Sequence, residues 1–296
     1  MLATLSPIQL LPLVVRPEPA SSDVTGLSRE TPQLTTVLDS SQRALWTYMH
    51  AQPRPCFSTD LLTDVTNLQS DIEQSDAPLD YVVVASSVPN VFNLGGDLHL
   101  FHQFASLQDE EALRDYARLA CQALHACASG YGRGITSVAM IEGDALGGGF
   151  EAALSCQLIV AERGTKMGFP EVLFDLFPGM GAYSFVARRC GTRLADKLIS
   201  SGEILPAEQM HELGLVDVLA EKGQAAEAVK QLFRSRRHCT NGLRALNRAR
   251  LHTPFHVPLD ELLAVTEEWV QAATHLSPSA LRTMERLVRA QNRLAH

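Results

Sequence analysis

From residue 31 the chain alternates between short β-type runs and longer stretches with helical spacing. QLTTVLDS (33–40) and ALWTYMHA (44–51) read as short strands. From Thr59, TDLLTDVTNLQSDIEQ places apolar residues at helical spacing behind a Ser-Thr-Asp cap signal. DYVVVASSV, bounded by Asp80 and Pro89, is a β-branched run that predicts a buried strand. EEALRDYARLACQALHACAS predicts an amphipathic helix ending near Gly130. TSVAMIEGDAL reads as strand into turn, GGGFEAALSC as turn into helix, and QLIVAE as another strand. After Gly179 helical patterns dominate, and LVDVLA is the single short strand expected among them. The Arg-, His- and Pro-rich stretch at 239–257 predicts a break before the last two helices. The fold class expected is α/β, with a helical C-terminal region. The expected organisation is an arm over 1–30, a core over 31–240 and a helical region over 241–296.

Composition narrows the function. The 296 residues are 46% apolar and 20% charged, enough for one sizeable buried core. A net charge of −8 excludes a general nucleic-acid binder, because neutralising phosphates takes an excess of Lys and Arg. It leaves room for a local basic patch that could hold a phosphate-bearing carrier. Six cysteines without a CxxC pair read as free thiols of a reducing cytoplasm, with Cys121 and Cys127 as core thiols. No run of 18 apolar residues occurs, so no membrane span is expected. The N-terminus, MLATLSPIQLLPLVV, is apolar enough for the centre of a signal peptide. It lacks a basic leader and carries Pro7 and Pro12, so it reads as a loosely ordered or partner-packed arm.

Three segments carry candidate chemistry. VFNLGGDLHLF (91–101) follows the VVVA strand; Gly95 and Gly96 allow a tight turn, and Asp97 can cap the next helix. IEGDALGGGFEAAL (141–154) sets Gly147, Gly148 and Gly149 at a helix start, where free N–H groups and the helix dipole point at a substrate. Glu151 sits in the first turn of that helix. KMGFPEVLFDLFPGMGAY (166–183) places Glu171 after Pro170 among Phe169, Val172, Leu173 and Phe174; desolvation there raises a carboxyl pKa and suits it to proton transfer. Each segment alone also fits an ordinary turn or helix start. Together they supply two N–H donors for a carbonyl oxygen and two carboxylates for the carbons beside it. A thioester α-proton is weakly acidic, so removing it requires enolate stabilisation, which such a pair of donors supplies. His99 and His102 lack a third ligand, so no metal site is expected, and no organic cofactor is needed.

The order and spacing of FNLGGDL, EGDALGGGFEAALSCQLIVAE, FPEVLFDLFPGMGA and RCGTRLADKLISSGEILPAEQMHELGLVDVL resemble the crotonase (enoyl-CoA hydratase/isomerase) superfamily over roughly residues 35 to 240. The resemblance implies a spiral of ββα units, with C-terminal helices that cover the site or trimerise. It implies oxyanion N–H groups from Leu94 and Gly148. Glu151 and Glu171 match the two acids of the hydratase branch, which adds or removes water across an α,β bond. Gly95, Leu146 and Gly147 flank the hole. Met180, Trp269 and Leu287 are candidate walls for an acyl chain, with ordinary core packing as the alternative for each.

The NLGGD turn, the long arm and the segment YMHAQPRPCFSTDLL depart from common hydratases, and the Trp269-containing helices stand with them. They resemble the diffusible signal factor synthases of bacterial quorum sensing. That resemblance implies dehydration of a 3-hydroxyacyl chain on acyl carrier protein to a cis-2-enoyl thioester, hydrolysis to the free acid, a sensor protein as a further partner, and a homotrimer or hexamer. Glu171 is favoured as the base on the strength of its apolar neighbours, although the sequence leaves the division of labour open. A CoA-dependent enoyl hydratase and a non-catalytic regulatory binding protein stand as alternatives.

Overall fold

The computed structural model describes residues 25–294; the arm expected over 1–30 lies outside it except for its last six residues. Eleven strands form two sheets. The larger has the order Arg29–Glu30 (β1), Leu34–Asp39 (β2), Ala44–Met49 (β3), Tyr81–Ser86 (β4), Thr136–Ile141 (β6), Leu158–Glu162 (β8) and Val218–Ala220 (β11). The smaller contains Val91–Asn93 (β5), Asp144–Leu146 (β7), Lys166–Gly168 (β9) and Ile204–Pro206 (β10), ordered β10-β9-β7-β5. Strands β4, β6 and β8 run parallel in the first sheet, and β5, β7 and β9 run parallel in the second. The chain therefore visits the large sheet, then the small sheet, then a helix, three times over. This is the expected spiral of ββα units. Strands β4 and β6 are apolar on both faces because helices and the second sheet cover them.

The helices are Thr59–Gln74 (α1), Leu98–Leu107 (α2), Glu110–Ala128 (α3), Gly148–Ser155 (α4), Ala182–Cys190 (α5), Thr192–Ser201 (α6), Ala207–Glu212 (α7), Ala225–Arg236 (α8), Thr240–Arg250 (α9), Leu259–Thr274 (α10) and Pro278–Leu294 (α11). The cap read before α1 is Ser58, whose hydroxyl accepts from the Leu61 N–H at 3.1 Å. Leu61, Leu62, Leu68 and Ile72 form the buried stripe of α1.

Two expectations change. The break at 239–257 contains helix α9. Its sequence, TNGLRALNRAR, has no apolar stripe to announce a helix. The buried Asn247 amide docks it by donating to Gly134 O and Thr136 Oγ1. LVDVLA is not the only strand after Gly179, since Ile204–Pro206 pairs antiparallel with Lys166–Gly168. β5, β7, β9 and β10 have three residues each, too few to show a period of two.

The small sheet matters most for function. β5, β7 and β9 lie side by side, and each leads into the turn of one of the three chemistry-bearing segments. Segments some 50 and 20 residues apart in sequence thus converge at one end of a parallel sheet, where such folds bind ligands.

Candidate active site

The turn after β5 is fixed by a neighbouring bent segment, Arg54–Phe57. Phe57 N–H donates to Gly95 O and Leu94 N–H donates to Pro55 O, both at 2.8 Å. Asn93 Oδ1 accepts from the Gly95 N–H at 2.8 Å. The N–H groups of residues 94 and 95 are therefore committed. This corrects the expectation for Leu94: it lines the cavity, but its N–H is not available to a substrate oxygen. The next N–H, that of Gly96, has no acceptor among the described residues. Asp97 then caps α2, accepting from His99 N–H at 3.0 Å and Leu100 N–H at 3.4 Å.

The turn after β7 abuts the first. Gly147 N–H donates to Gly168 O, while Gly148 N–H opens α4 with no acceptor among the described residues. A Cβ on Gly95 would lie 2.8 Å from Gly148 N, and one on Gly148 would lie 3.3 Å from Gly96 N. Only glycines allow the two turns to come this close. Gly96 and Gly148 thus present two free N–H groups side by side, the arrangement an oxyanion hole requires. Gly95 itself does not line the cavity; it supports the turn at φ +93°.

Glu151 and Glu171 both face the same cavity. Glu151, on α4, is almost fully buried, and its Oε1 accepts from Met180 N–H and Ala182 N–H, each at 2.9 Å. Glu171 lies on a 3-10 turn, Pro170–Phe174, at the end of β9. A Cβ on Gly147, a residue at φ +54°, would lie 2.4 Å from Glu171 Oε1, so the carboxyl packs against the triple-glycine turn. Of the apolar neighbours in sequence, Phe169 and Phe174 are buried and Phe174 lines the cavity, whereas Leu173 is 61% exposed. Burial pushes the Glu171 carboxyl well above its ordinary range, and the charge on Glu151 pushes it further. Burial also raises Glu151, to about 7, against the opposing pull of its two backbone N–H donors. Two such carboxyls share one proton near neutral pH. At rest that proton lies on Glu171, whose Oε2 is buried without a partner, while the two N–H groups favour charge on Glu151.

The cavity measures about 420 Å³. Leu146, Gly147, Met180, Trp269 and Leu287 all line it. The sequence reading missed Leu98, Phe101, Tyr116, Phe174 and Leu176, which complete its apolar wall. Nothing in their spacing separates them from other core residues. Helix α10 braces the loop that serves Glu151: Thr266 Oγ1 donates to Gly179 O at 2.7 Å, and Cys121 Sγ lies 3.0 Å from Thr266 Oγ1. Trp269 packs over Gly179, where an added Cβ would lie 2.3 Å from its Cγ. His102 Nε2 is 3.2 Å from Glu285, linking α2 to α11. Among the described residues no helix is long and apolar enough to cross a membrane.

Comparison with known proteins agrees with this fold. The family model for enoyl-CoA hydratase/isomerase matches residues 49–275. An enoyl-CoA isomerase/hydratase of Mycosarcoma maydis is 32% identical over 205 residues, covering 66% of this chain and 72% of that protein. The mitochondrial methylglutaconyl-CoA hydratase of Mus musculus is 30% identical over 193 residues, 61% of this chain and 56% of that one. The chain thus spans little more than half the length of this second relative. Among solved structures, an enoyl-CoA hydratase from Bacillus halodurans gives a TM-score of 0.76 at 20% identity, covering 86% of this chain and 99% of that one. DspI of Pseudomonas aeruginosa gives 0.67 at 24% identity, covering 92% and 98%. At these identities the two structures speak for a shared fold.

Proposed function

We propose that this chain, which belongs to the enoyl-CoA hydratase/isomerase family, dehydrates 3-hydroxyacyl thioesters carried on acyl carrier protein to cis-2-enoyl thioesters and hydrolyses these to free acid. The observation that carries the water-loss reading is the pair of buried carboxyls facing one cavity beside two unpaired N–H groups. The thioester oxygen accepts from Gly96 and Gly148, which stabilise it as the α-proton leaves and negative charge develops. Glu171 packs against the Gly147 turn, next to the hole, and so serves the α carbon, the atom bonded to the held carbonyl. Glu151 serves the β oxygen. Dehydration draws on the arrangement in which the shared proton sits on Glu151: Glu171 takes the α-proton, and Glu151 gives its proton to the departing hydroxyl, which leaves as water. Glu151 Oε1 accepts two N–H bonds in either arrangement, and Oε2 can hold the proton. Addition of water runs the same steps backwards from the resting arrangement. In hydrolysis the ionised carboxylate of the pair takes a proton from water as its oxygen bonds to the carbonyl carbon held in the same hole; the C–S bond then breaks, and the carrier's sulfur leaves with a proton from the pair.

The cis product and the protein carrier rest on the resemblance of the NLGGD turn and both chain ends to the signal synthases. The same resemblance supports a sensor protein as partner and a homotrimer or hexamer. A CoA-dependent hydratase is the second reading, favoured by the relatives, which are described as acting on CoA esters. Mass spectrometry of products formed from 3-hydroxyacyl-acyl carrier protein tests the choice. A cis-2-unsaturated free acid is expected. Turnover of CoA esters alone, to trans or 3-hydroxy products, would reject the signal-synthase reading and leave the dyad intact.

A further inference from the structure

We propose that Arg54 is a positioning residue of the oxyanion hole, neutralising the Asp97 carboxylate so that the Gly96 N–H can face a developing negative charge. The inference rests on the cavity binding a thioester, not on which carrier delivers it.

Asp97 directly follows Gly96, and its side chain is 3% exposed. Its carboxylate is needed where it stands, because it caps α2 and so sets the turn that frees the Gly96 N–H. A buried negative charge one residue from an oxyanion donor is also a liability. It opposes the charge that the hole exists to stabilise, and in a poorly solvated cavity that opposition is weakly screened. Arg54 answers this. Its Nη2 donates to both Asp97 oxygens, at 2.9 and 2.7 Å. Arg54 is the only cation paired with Asp97 among the described residues. Its side chain is 18% exposed, its Nε is buried without a hydrogen-bond partner, and the Cys56 thiol is the other side chain that bears on the guanidinium, so Asp97 is the one charge it answers.

The surrounding chain holds the guanidinium in place. Pro53 and Pro55 flank Arg54 and restrict its backbone. Pro55 O takes the Leu94 N–H, Phe57 N–H donates to Gly95 O, and Tyr116 bridges Phe57 O to the Asp97 N–H. The segment that supplies the charge is thus the same one that templates the turn. A brace and a counter-charge make different predictions, because only the second depends on the sign of the charge.

The test uses an acetoacetyl thioester, whose enolate has its own ultraviolet absorbance, bound to the full-length protein at fixed pH. The bound enolate fraction reads the hole's preference for negative charge without requiring turnover. Arg54→Met is expected to lower that fraction about tenfold, less than the roughly 10²–10³-fold cost of losing a hole donor outright, with affinity for a saturated acyl thioester unchanged. Arg54→Lys keeps the charge and should stay near wild type. In Arg54→Met/Asp97→Asn the uncompensated charge is gone, and most of the fraction should return. Asp97→Asn alone keeps a good helix cap and leaves Arg54 as a net cation, so it should match or exceed wild type. That variant decides the matter even if Arg54→Met fails to fold. A double variant no better than Arg54→Met, or an enolate fraction that falls in Asp97→Asn, would overturn the proposal. No enolate enrichment in the wild type would instead reject the thioester reading itself.

Discussion

Replacing Glu151 by Gln should make the protein more stable at alkaline pH while removing its activity. Glu151 is raised from an ordinary 4.5 to about 7 by burial. A carboxyl raised on folding holds its proton more tightly in the folded state, so folding stability falls as pH climbs through that window. Below 4.5 the folded and unfolded forms are both protonated and the cost vanishes. Above 7 both are ionised and the full cost applies, roughly 3 kcal/mol for a displacement of this size. Gln keeps an oxygen that can accept from Met180 and Ala182 N–H, and it carries no charge. Urea unfolding at fixed protein concentration should therefore show Glu151→Gln more stable than wild type by on the order of 3 kcal/mol at pH 8, and by a few tenths at pH 4.5. Activity should drop by about 10²–10⁴-fold, the usual contribution of a general acid or base. A variant less stable than wild type at pH 8, or one with the same gain at both pH values, would refute the assignment of a desolvated, N–H-supported carboxylate.

Further outcomes follow from the same geometry. Gly147→Ala should lower kcat by at least about tenfold with the fold retained, because its Cβ would lie 2.4 Å from Glu171 Oε1 and shift a catalytic group; circular dichroism with steady-state rates checks this. Thr266→Val should cost about 1–3 kcal/mol in thermal or urea unfolding, since it leaves the buried Gly179 carbonyl without its donor, and kcat should fall with the loosened Met180 N–H. Arg114→Ala, which breaks a mostly exposed pair with Glu267 on α10, should leave the midpoint of urea unfolding close to that of the wild type. The pH profile of kcat/KM should be bell-shaped: activity rises as the pair loses its first proton and falls as it loses its second, so both limbs belong to the pair.

The large features of this molecule were legible in the chain. Long β-branched and amphipathic runs announced β4, β6, α1 and α3, and glycines next to acids announced the turns. Glu151 and Glu171 stand out because acids at a helix start and after a proline are local signals. Gly96 did not stand out. Which N–H of a turn stays free depends on what the others bond to, and here Pro55 O, some forty residues earlier, takes the one at Leu94. The short strands were hidden for a related reason. β5, β7 and β9 hold together by pairing with one another, not by any pattern of their own. Phe101 and Tyr116 were invisible as lining residues because an apolar side chain beside a cavity has the same sequence signature as one in the core. Glu171, favoured as the base from its apolar neighbours, faces the same cavity as Glu151, and burial pushes both carboxyls up.

The central claim is that Glu171 acts on the α carbon of a thioester held by Gly96 and Gly148. Exchange of the α-hydrogens of a saturated acyl thioester in deuterated water, followed by mass spectrometry, tests it most directly, since the substrate has no β-hydroxyl and only the proton transfer can occur. The wild type should incorporate deuterium at the α carbon, Glu171→Gln should not, and Glu151→Gln should retain part of the exchange. Equal exchange by wild type and Glu171→Gln, or none by the wild type with the thioester bound, would contradict it.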